Sequence, residues 1–427
     1  MAQAVDTEYR LSTEPKLKAF VSDVLTKVGV ARADAETVAS VLVAADMRGV
    51  ESHGVARLES YYVSRIRSGK LEAAPTVSVV RETPTSLVLD AGNGLGHPAG
   101  KRAMLSVIDK AKQSGVAFGA VKNSNHFGIA GFYAMLALEH DMIGIASTNS
   151  VRYGAPTYGK DIMLGTNPWA YAIPAQNEPA FVLDFATTTV PRGKLEVYQR
   201  KEKQLGAGWA IDENGAQTLK PEEALKGALL PLGGFGVDNG GHKGYGLGLL
   251  VDIMCAVLSG GAFGNDLPLP NSGAEPGKIS HFFGAIRIDG FRDVAAFKTD
   301  MDKELRAFKD SQKAPGFDRI YVAGEIEHEK TNFARKNGVP VHVRFGAVSR
   351  SSRASSICRS RSNDSAARSP GLGRDDQGVR RPARRGDPRR RLCIRRTFQH
   401  GHARRPRRRG ALSPRRSGSA RTAGARA

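Results

Sequence analysis

The stretch "VLDAGNGLGHPAG", residues 88–100, decides how the fold is read. It runs from an apolar strand-like segment into a glycine-rich turn and then toward a helix, and Gly94, Gly96 and Ala99 match the G-x-G-x-x-A form of a dinucleotide fingerprint. That fingerprint also needs an acid about 20 residues on, at the end of the next strand, to hold a ribose hydroxyl. Here "AFGAVKNSNHFG" (117–128) ends that strand on Lys122 and Asn123. The glycines therefore read as a plain strand-to-helix turn, and a regular doubly wound sheet is not expected.

Outward from this turn the pattern is mixed. Toward the N-terminus, Glu14 to Gly29 places Leu17, Phe20, Val21, Val24, Leu25 and Val28 at helical spacing, and a second helix is expected from Asp34 to Arg48, ended by Gly49. "SYYVSRIRSGK" (60–70) is expected to continue helically to Gly69, and "TVSVVRETPTSLVLDAG" (76–92) to give two strands joined at Thr83 and Pro84. Lys101 to Ser114 reads as a helix. "GVAFGAVKN", "MIGIASTN", "AYAIPA" and "PAFVLDFA" then read as strands that often follow one another without an intervening helix. Strands in series argue for an α+β fold rather than a βαβ repeat.

Length and composition set the limits. A chain of 427 residues, 41% hydrophobic, can bury a large core and form two domains. The apolar run "GLGLLVDIMCAVL" (246–258) carries an acid and is shorter than a bilayer span, and the first twenty residues lack the apolar region of a secretory signal, so no membrane association and a cytoplasmic location are expected. Cys255, Cys358 and Cys393 are too few and scattered for a disulfide framework or a metal site, and no metal is expected.

The net charge of +21 is local. From Gly346 to Ala427 there are 24 arginines, no lysine and four acids, so +20 of the total lies there and the preceding 345 residues are nearly neutral. This Arg/Ser/Ala/Gly/Pro tail has no apolar periodicity and is expected to be disordered. Two readings compete: an arginine-rich arm binding nucleic acid non-specifically through phosphates, or the product of a shifted reading frame in GC-rich DNA, which also gives arginine without lysine.

Six ordered blocks, "ESHGVARLESY", "GLGHPAG", "NSNHFGIAGFYA", "MLGTNPWAYAIP", "VLDFATTTVPRGKLEV" and "GGHKGYGLGLLVDI", resemble the malate/L-lactate dehydrogenase family of NAD(P)-dependent oxidoreductases, a family distinct from the Rossmann-type enzymes. The resemblance runs from about Thr13 to about Val343. It implies a homodimer whose helical, substrate-side domain is assembled from both chain ends (1–86 and 298–345) and packs on a mixed-sheet cofactor-binding domain of non-Rossmann topology (87–297), followed by the tail at 346–427. It implies hydride transfer between NAD or NADP and a small 2-oxo/2-hydroxy acid of malate or lactate type. Reduction of a cyclic ketimine is the alternative within the family, and nucleic-acid binding through the tail is the alternative outside enzymes.

Within that frame the residues acquire roles. His53 can exchange a proton near neutrality, Arg57 offers a bidentate fork to a carboxylate, and four-residue spacing places both on one helix face. Ser52 either touches substrate or caps a helix. His126, beside Gly128, can contact substrate or cofactor. Asp184 can orient His53 or serve the cofactor with Thr187 and Thr188, while Lys243 and Gly244 suit a pyrophosphate. Gly324 and Glu325 in "YVAGEIEHEK" (321–330) match the family's last cofactor-side motif, with Ala323 where proline is common. Each has a structural alternative: a cap, a surface ion pair or a loop contact. His242 and Tyr245 read equally as packing.

Overall fold

The computed structural model describes residues 9–269 and 278–342. The arginine-rich tail, and with it the nucleic-acid reading and Cys358 and Cys393, lies outside the described residues.

Helices α1 (Glu14–Thr26) and α2 (Arg32–Met47) pair through the apolar faces expected of them, burying Leu17, Val21 and Leu25 against Val38, Leu42 and Val43. Strand β1 (Tyr9–Ser12) pairs antiparallel with β11 (Val339–His342), and Val339 and Ala334 complete the same apolar cluster. Both ends of the described chain thus share one core. The segment expected to be one helix after Gly49 is not. It forms two 3-10 turns, Glu51–His53 and Val55–Arg57, then a π-helical turn, Leu58–Val63, before the short α3 (Ser64–Arg67). Gly54 lies between the two turns in extended conformation, φ −89° and ψ −159°, so His53 and Arg57 do not share a helix face.

The second core is a seven-stranded sheet. β2 (Ser78–Glu82) and β3 (Ser86–Asp90) form the expected hairpin, and α4 (Gly96–Ser114) crosses over to β4 (Val116–Ser124). α5 (Ala130–Met135) and β5 (Met142–Thr148) follow, then β6 (Trp169–Ile173) and β7 (Phe181–Phe185). The order is β2-β3-β4-β10-β5-β6-β7, with β10 (Ile279–Arg287) in the middle. Only β3 and β4 are parallel; every other neighbour is antiparallel. The fold is α+β, as the serial strands imply.

The glycines of the opening turn are occupied by the protein itself. A Cβ on Gly96 would sit 2.1 Å from the Asn125 carbonyl oxygen, and one on Gly94 would sit 2.3 Å from the Pro75 ring. They let loops close on the start of α4 and leave no backbone cradle for a pyrophosphate.

The remaining α-helices and strands are α6 (Arg192–Arg200), the two-residue strands β8 (Ala210–Ile211) and β9 (Ala228–Leu229), α7 (Pro221–Ala224), α8 (Gly241–Asp252), α9 (Val294–Asp310) and α10 (Glu325–Asn337). α9 begins at Val294, so a domain boundary at 298 falls inside it. Its buried Asp302 accepts the backbone N–H groups of Gln176, Asn177 and Glu178 and so belongs with the β6–β7 loop. No helix among the described residues is long and apolar enough to cross a membrane.

Candidate active site

The end of α2 starts the site. Gly49, at φ +73°, lets the helix close with Gly49 N–H on the Asp46 carbonyl and Val50 N–H on Ala45, and the chain turns into Ser52 and His53. The Ser52 hydroxyl lies 2.8 Å from His53 Nδ1. Arg57 folds back, donating from Nε to the Ser52 carbonyl at 2.6 Å and lying 4.8 Å over the Tyr61 ring. The turn geometry, rather than a helix face, brings cation and imidazole together. Desolvation in the cleft and then the Arg57 charge push the His53 ring down to about 4.

Across from this turn, the loop after β4 carries His126, whose ring stacks on His53 with centroids 5.3 Å apart. His126 Nδ1 lies 2.7 Å from the Tyr62 hydroxyl and accepts the Gly128 N–H at 3.3 Å. A backbone N–H can only donate, so Nδ1 holds the lone pair and the neutral ring carries its proton on Nε2. Burial, followed by the neighbouring histidines and Arg57, holds His126 well below the ordinary imidazole range. The two stacked rings thus differ in kind. The hydroxyl on His53 Nδ1 can donate or accept, leaving that ring free to change tautomer, whereas His126 is fixed as an Nε2–H donor.

Two further histidines lie behind. His281 on β10 is held by Thr148 and Ser124 hydroxyls at 2.8 Å each and stacks on Phe127 at 4.5 Å. His97, in the first turn of α4, is fully buried with neither ring nitrogen hydrogen-bonded, 5.0 Å from the Tyr62 ring and 6.5 Å from His126. Burial pushes each down to about 3, so both are neutral.

On the opposite wall, the Tyr153 hydroxyl is pushed upward first by burial and then by the neighbouring Tyr61, and is held back by the charges of Arg192 and Arg57. Arg192, at the start of α6, lies 5.8 Å from the Tyr153 ring. Arg57 and Arg192 therefore flank one tyrosine pair. The sequence reading missed Tyr61, Tyr62, Tyr153 and Arg192; the available signal was a basic residue and aromatics inside blocks already singled out, "ESYY" and "VPRGK".

Asp184 is not beside His53. At the end of β7, its carboxylate accepts the Gly131 N–H at 2.7 Å and faces Arg48, with Glu327 nearby; desolvation pushes it up to about 6 against the effects of Gly131 and Arg48. Its strand is the sheet edge beyond β6, and that position points it at the start of α5 instead of the Ser52–Arg57 turns. The Ser52 hydroxyl, rather than Asp184, is the side chain hydrogen-bonded to His53. Thr187 and Thr188 are buried and donate their hydroxyls to the Thr166 and Val190 carbonyls, so they hold the loop that follows β7. Glu325 is also buried, paired with Arg319 at 2.8 Å and Lys309 at 3.4 Å. Gly324, at φ +88°, starts α10 so close to β7 that a Cβ would lie 2.8 Å from the Val182 Cβ.

Lys243 lies exposed in the first turn of α8, after Gly240 at φ +83°, and no carboxylate pairs with its ammonium among the described residues. It borders a depression of about 440 Å³ whose lining includes Leu232, Gly233, Val237, Asn239, Gly244 and one carboxylate, Asp238. A Cβ on Gly233 would sit 2.4 Å from the Gly240 carbonyl carbon, and one on Gly244 2.2 Å from the Leu232 oxygen. Only glycine permits this curl, which presents backbone and the Lys243 ammonium to an anionic group, with the Asp238 carboxylate also on the lining, so the residues fit a dinucleotide phosphate held on the Lys243 side. No group of three or more His, Cys, Asp or Glu among the described residues is arranged to hold a metal ion.

The family model for malate/L-lactate dehydrogenase matches residues 13–345. The chain is 46% identical over 339 residues to a malate dehydrogenase of Pyrococcus horikoshii, covering 79% of this chain and 93% of that one. It is 39% identical over 324 residues to an L-sulfolactate dehydrogenase of Methanocaldococcus jannaschii, covering 76% and 91%. Among solved structures, the malate dehydrogenase of Entamoeba histolytica superposes with a TM-score of 0.77 at 37% identity, covering 82% of this chain and 98% of that one. Other relatives carry NAD(+) or NADP(+) in their names.

Proposed function

This chain belongs to the malate/L-lactate dehydrogenase family and is an oxidoreductase acting on small hydroxy acids, and from that premise we propose that its substrate is a 2-hydroxy acid with a second anionic group, of malate type, oxidised with NAD or NADP. The observation that carries the reading is the stacked pair His53 and His126, one ring free to exchange a proton and the other fixed as a donor. His53 takes the hydroxyl proton in oxidation and returns it in reduction, with Ser52 turning its hydroxyl to suit each state. His126 donates from Nε2 to the substrate oxygen or to the cofactor. Arg57 clamps the carboxylate next to the reacting carbon, and the charge of that carboxylate offsets the one that depresses His53. Arg192, on the far side of the Tyr61–Tyr153 pair, suits the second anion.

The nicotinamide supplies the hydride acceptor or donor when bound. Lys243 and Gly244 would hold its phosphates, and Asp184, Thr187, Thr188, Gly324 and Glu325 would frame the remainder along the β7 edge. The greater identity to malate and sulfolactate dehydrogenases favours a hydroxy acid over a cyclic ketimine. We further propose a cytoplasmic homodimer whose helical domain joins both chain ends and whose sheet domain keeps α9, tied to the β6–β7 loop through Asp302. In its support, α8 and the turn after it leave Leu249, Leu250, Ile253, Val257 and Leu258 exposed, a large apolar face for a second copy to cover. The deciding experiment follows NADH and NADPH absorbance with oxaloacetate, pyruvate and a cyclic imine. Oxaloacetate should be reduced fastest; a preference for pyruvate removes the second-anion reading, and a preference for the imine removes the hydroxy-acid reading of this member.

A further inference from the structure

One buried carboxylate near the site takes no part in the chemistry above. Asp46, in the last turn of α2, is 8% exposed. Its Oδ2 accepts the Val55 N–H at 2.9 Å, nine residues on, and its carboxylate covers Gly54 so closely that a Cβ there would lie 1.7 Å from Oδ1 and 2.3 Å from Cγ. No side chain fits at position 54 while Asp46 holds this position.

The place of this contact gives it meaning. The first 3-10 turn ends on His53, the second begins at Val55 and carries Arg57, and Gly54 is the extended joint between them. A turn of this kind begins with N–H groups that have no partner inside it, and Val55 N–H is buried with its residue, 1% exposed. A carboxyl oxygen from the preceding helix satisfies that donor in one orientation, and it does so even though burial pushes the Asp46 carboxyl up to about 7. Val55 N–H also follows directly on the joint, so fixing it fixes the angle between the two turns. Arg57 N–H reaches back to the Gly54 carbonyl at 3.0 Å, which passes the constraint to the guanidinium.

We propose that Asp46 is a positioning residue for the reaction: through Val55 N–H and the bare face of Gly54 it sets the reach of His53 relative to Arg57, so that the proton-exchanging ring and the carboxylate clamp meet one substrate. This rests on the reading of His53 and Arg57 as the substrate-side pair. It places a functional requirement on the aspartate of "AADMRGVESHG" (44–54) that neither its helix nor its charge alone suggests.

The test uses full-length Asp46→Ala, Asp46→Asn, Gly54→Ala and the double variant Asp46→Ala/Gly54→Ala, with His53→Gln alongside. The readouts are kcat, KM for oxaloacetate and cofactor Kd by NADH fluorescence. Displacement of a reacting group by about 1 Å costs on the order of 100-fold, so Asp46→Ala and Gly54→Ala should each lower kcat/KM by roughly 10- to 100-fold while the NADH Kd stays within about twofold. Asp46→Asn keeps an oxygen for Val55 N–H and should recover most of the loss. In the Asp46→Ala background the Gly54 methyl has room, so the double variant should be little worse than Asp46→Ala. Wild-type kcat/KM in Asp46→Ala, losses that multiply in the double variant, an asparagine no better than alanine, or an equal loss of NADH binding each overturns the proposal. If Asp46→Ala does not fold, Gly54→Ala and Asp46→Asn decide: a reduced kcat/KM with intact NADH binding in the first and near-normal kinetics in the second support it, and any other pair of results overturns it. Near-normal turnover in His53→Gln sinks the underlying reading instead, which separates the two failures.

Discussion

Replacing His97 with leucine should make the protein more resistant to acid, by an amount the structure fixes. The ring is fully buried in the first turn of α4, where the helix dipole adds to the cost of a cation, and neither nitrogen has a partner. Burial lowers its titration from 6.5 to about 3. A group depressed in this way binds its proton more readily in the unfolded chain, so the native state is favoured fully above 6.5 and loses that advantage as pH falls toward 3. Between pH 8 and pH 5 the unfolded ring is taken 1.5 units below its pKa while the native ring stays neutral, a loss of about 2 kcal/mol at about 1.4 kcal/mol per unit. Leucine of similar size has no proton to bind. Its advantage over the wild type should therefore widen by about 2 kcal/mol between pH 8 and pH 5, on top of any constant gain from removing two unpartnered nitrogens. Urea unfolding of both proteins at the two pH values measures this directly. A gap that does not change with pH would refute the argument, since it would mean that the native ring takes up its proton as easily as the unfolded one.

His53→Gln should lower turnover by roughly two to four orders of magnitude with cofactor affinity retained, whereas His126→Gln should weaken binding more than it slows chemistry; the reverse pattern in steady-state kinetics would exchange the two roles. Because His53 is held down to about 4, hydroxy-acid oxidation in the wild type, read as kcat/KM, should persist as pH falls through 6.5 and decline only on approach to 4; a limb at 6.5 would contradict the depressed ring. Arg57→Lys should raise KM for 2-oxo acids with cofactor Kd unchanged, because one ammonium cannot make two parallel bonds to a carboxylate; identical KM values would place Arg57 outside the site. Lys243→Ala should weaken NADH binding, measured by fluorescence titration, without moving the apo melting temperature, and an unaltered Kd would return Lys243 to the solvated surface.

How far the sequence could be read depended on the range of the interactions involved. Helices α1 and α2 and the β2–β3 hairpin are set by local periodicity and turn residues, and their positions in the chain follow from it. The π-helical turn and the break at Gly54 do not, because the aspartate that shapes the joint acts from the preceding helix and leaves no local period. β10, the central strand, has no such local mark even though "ISHFFGAIR" is largely apolar, since its partners β4 and β5 lie more than 130 residues away. The family blocks located His53, Arg57 and His126, and the structure brings these together. They did not reveal that Asp184 serves another part of the sheet edge, nor that His97 and His281 stand behind the site. Those facts depend on which loops close over α4, information held in the packing of glycines against distant carbonyls.

The pairing of β1 with β11 also dictates an order of events during synthesis. The apolar cluster around α1 and α2 is completed by Ala334 and Val339, about 300 residues after Leu17 and Val21 have left the ribosome. The sheet, from β2 to β10, is available well before that, so it can form while the two N-terminal helices still lack part of their core. The turns bearing His53 and Arg57 hang from the end of α2, and they gain their final support only when the strand Val339–His342 closes on Tyr9–Ser12. On the reading of His53 and Arg57 as the substrate-side pair, a working site therefore requires this closing strand. Interruption before residue 339 should yield a sheet without a working site, whereas the abrupt change of composition that starts near Gly346 comes just after the closing strand is complete.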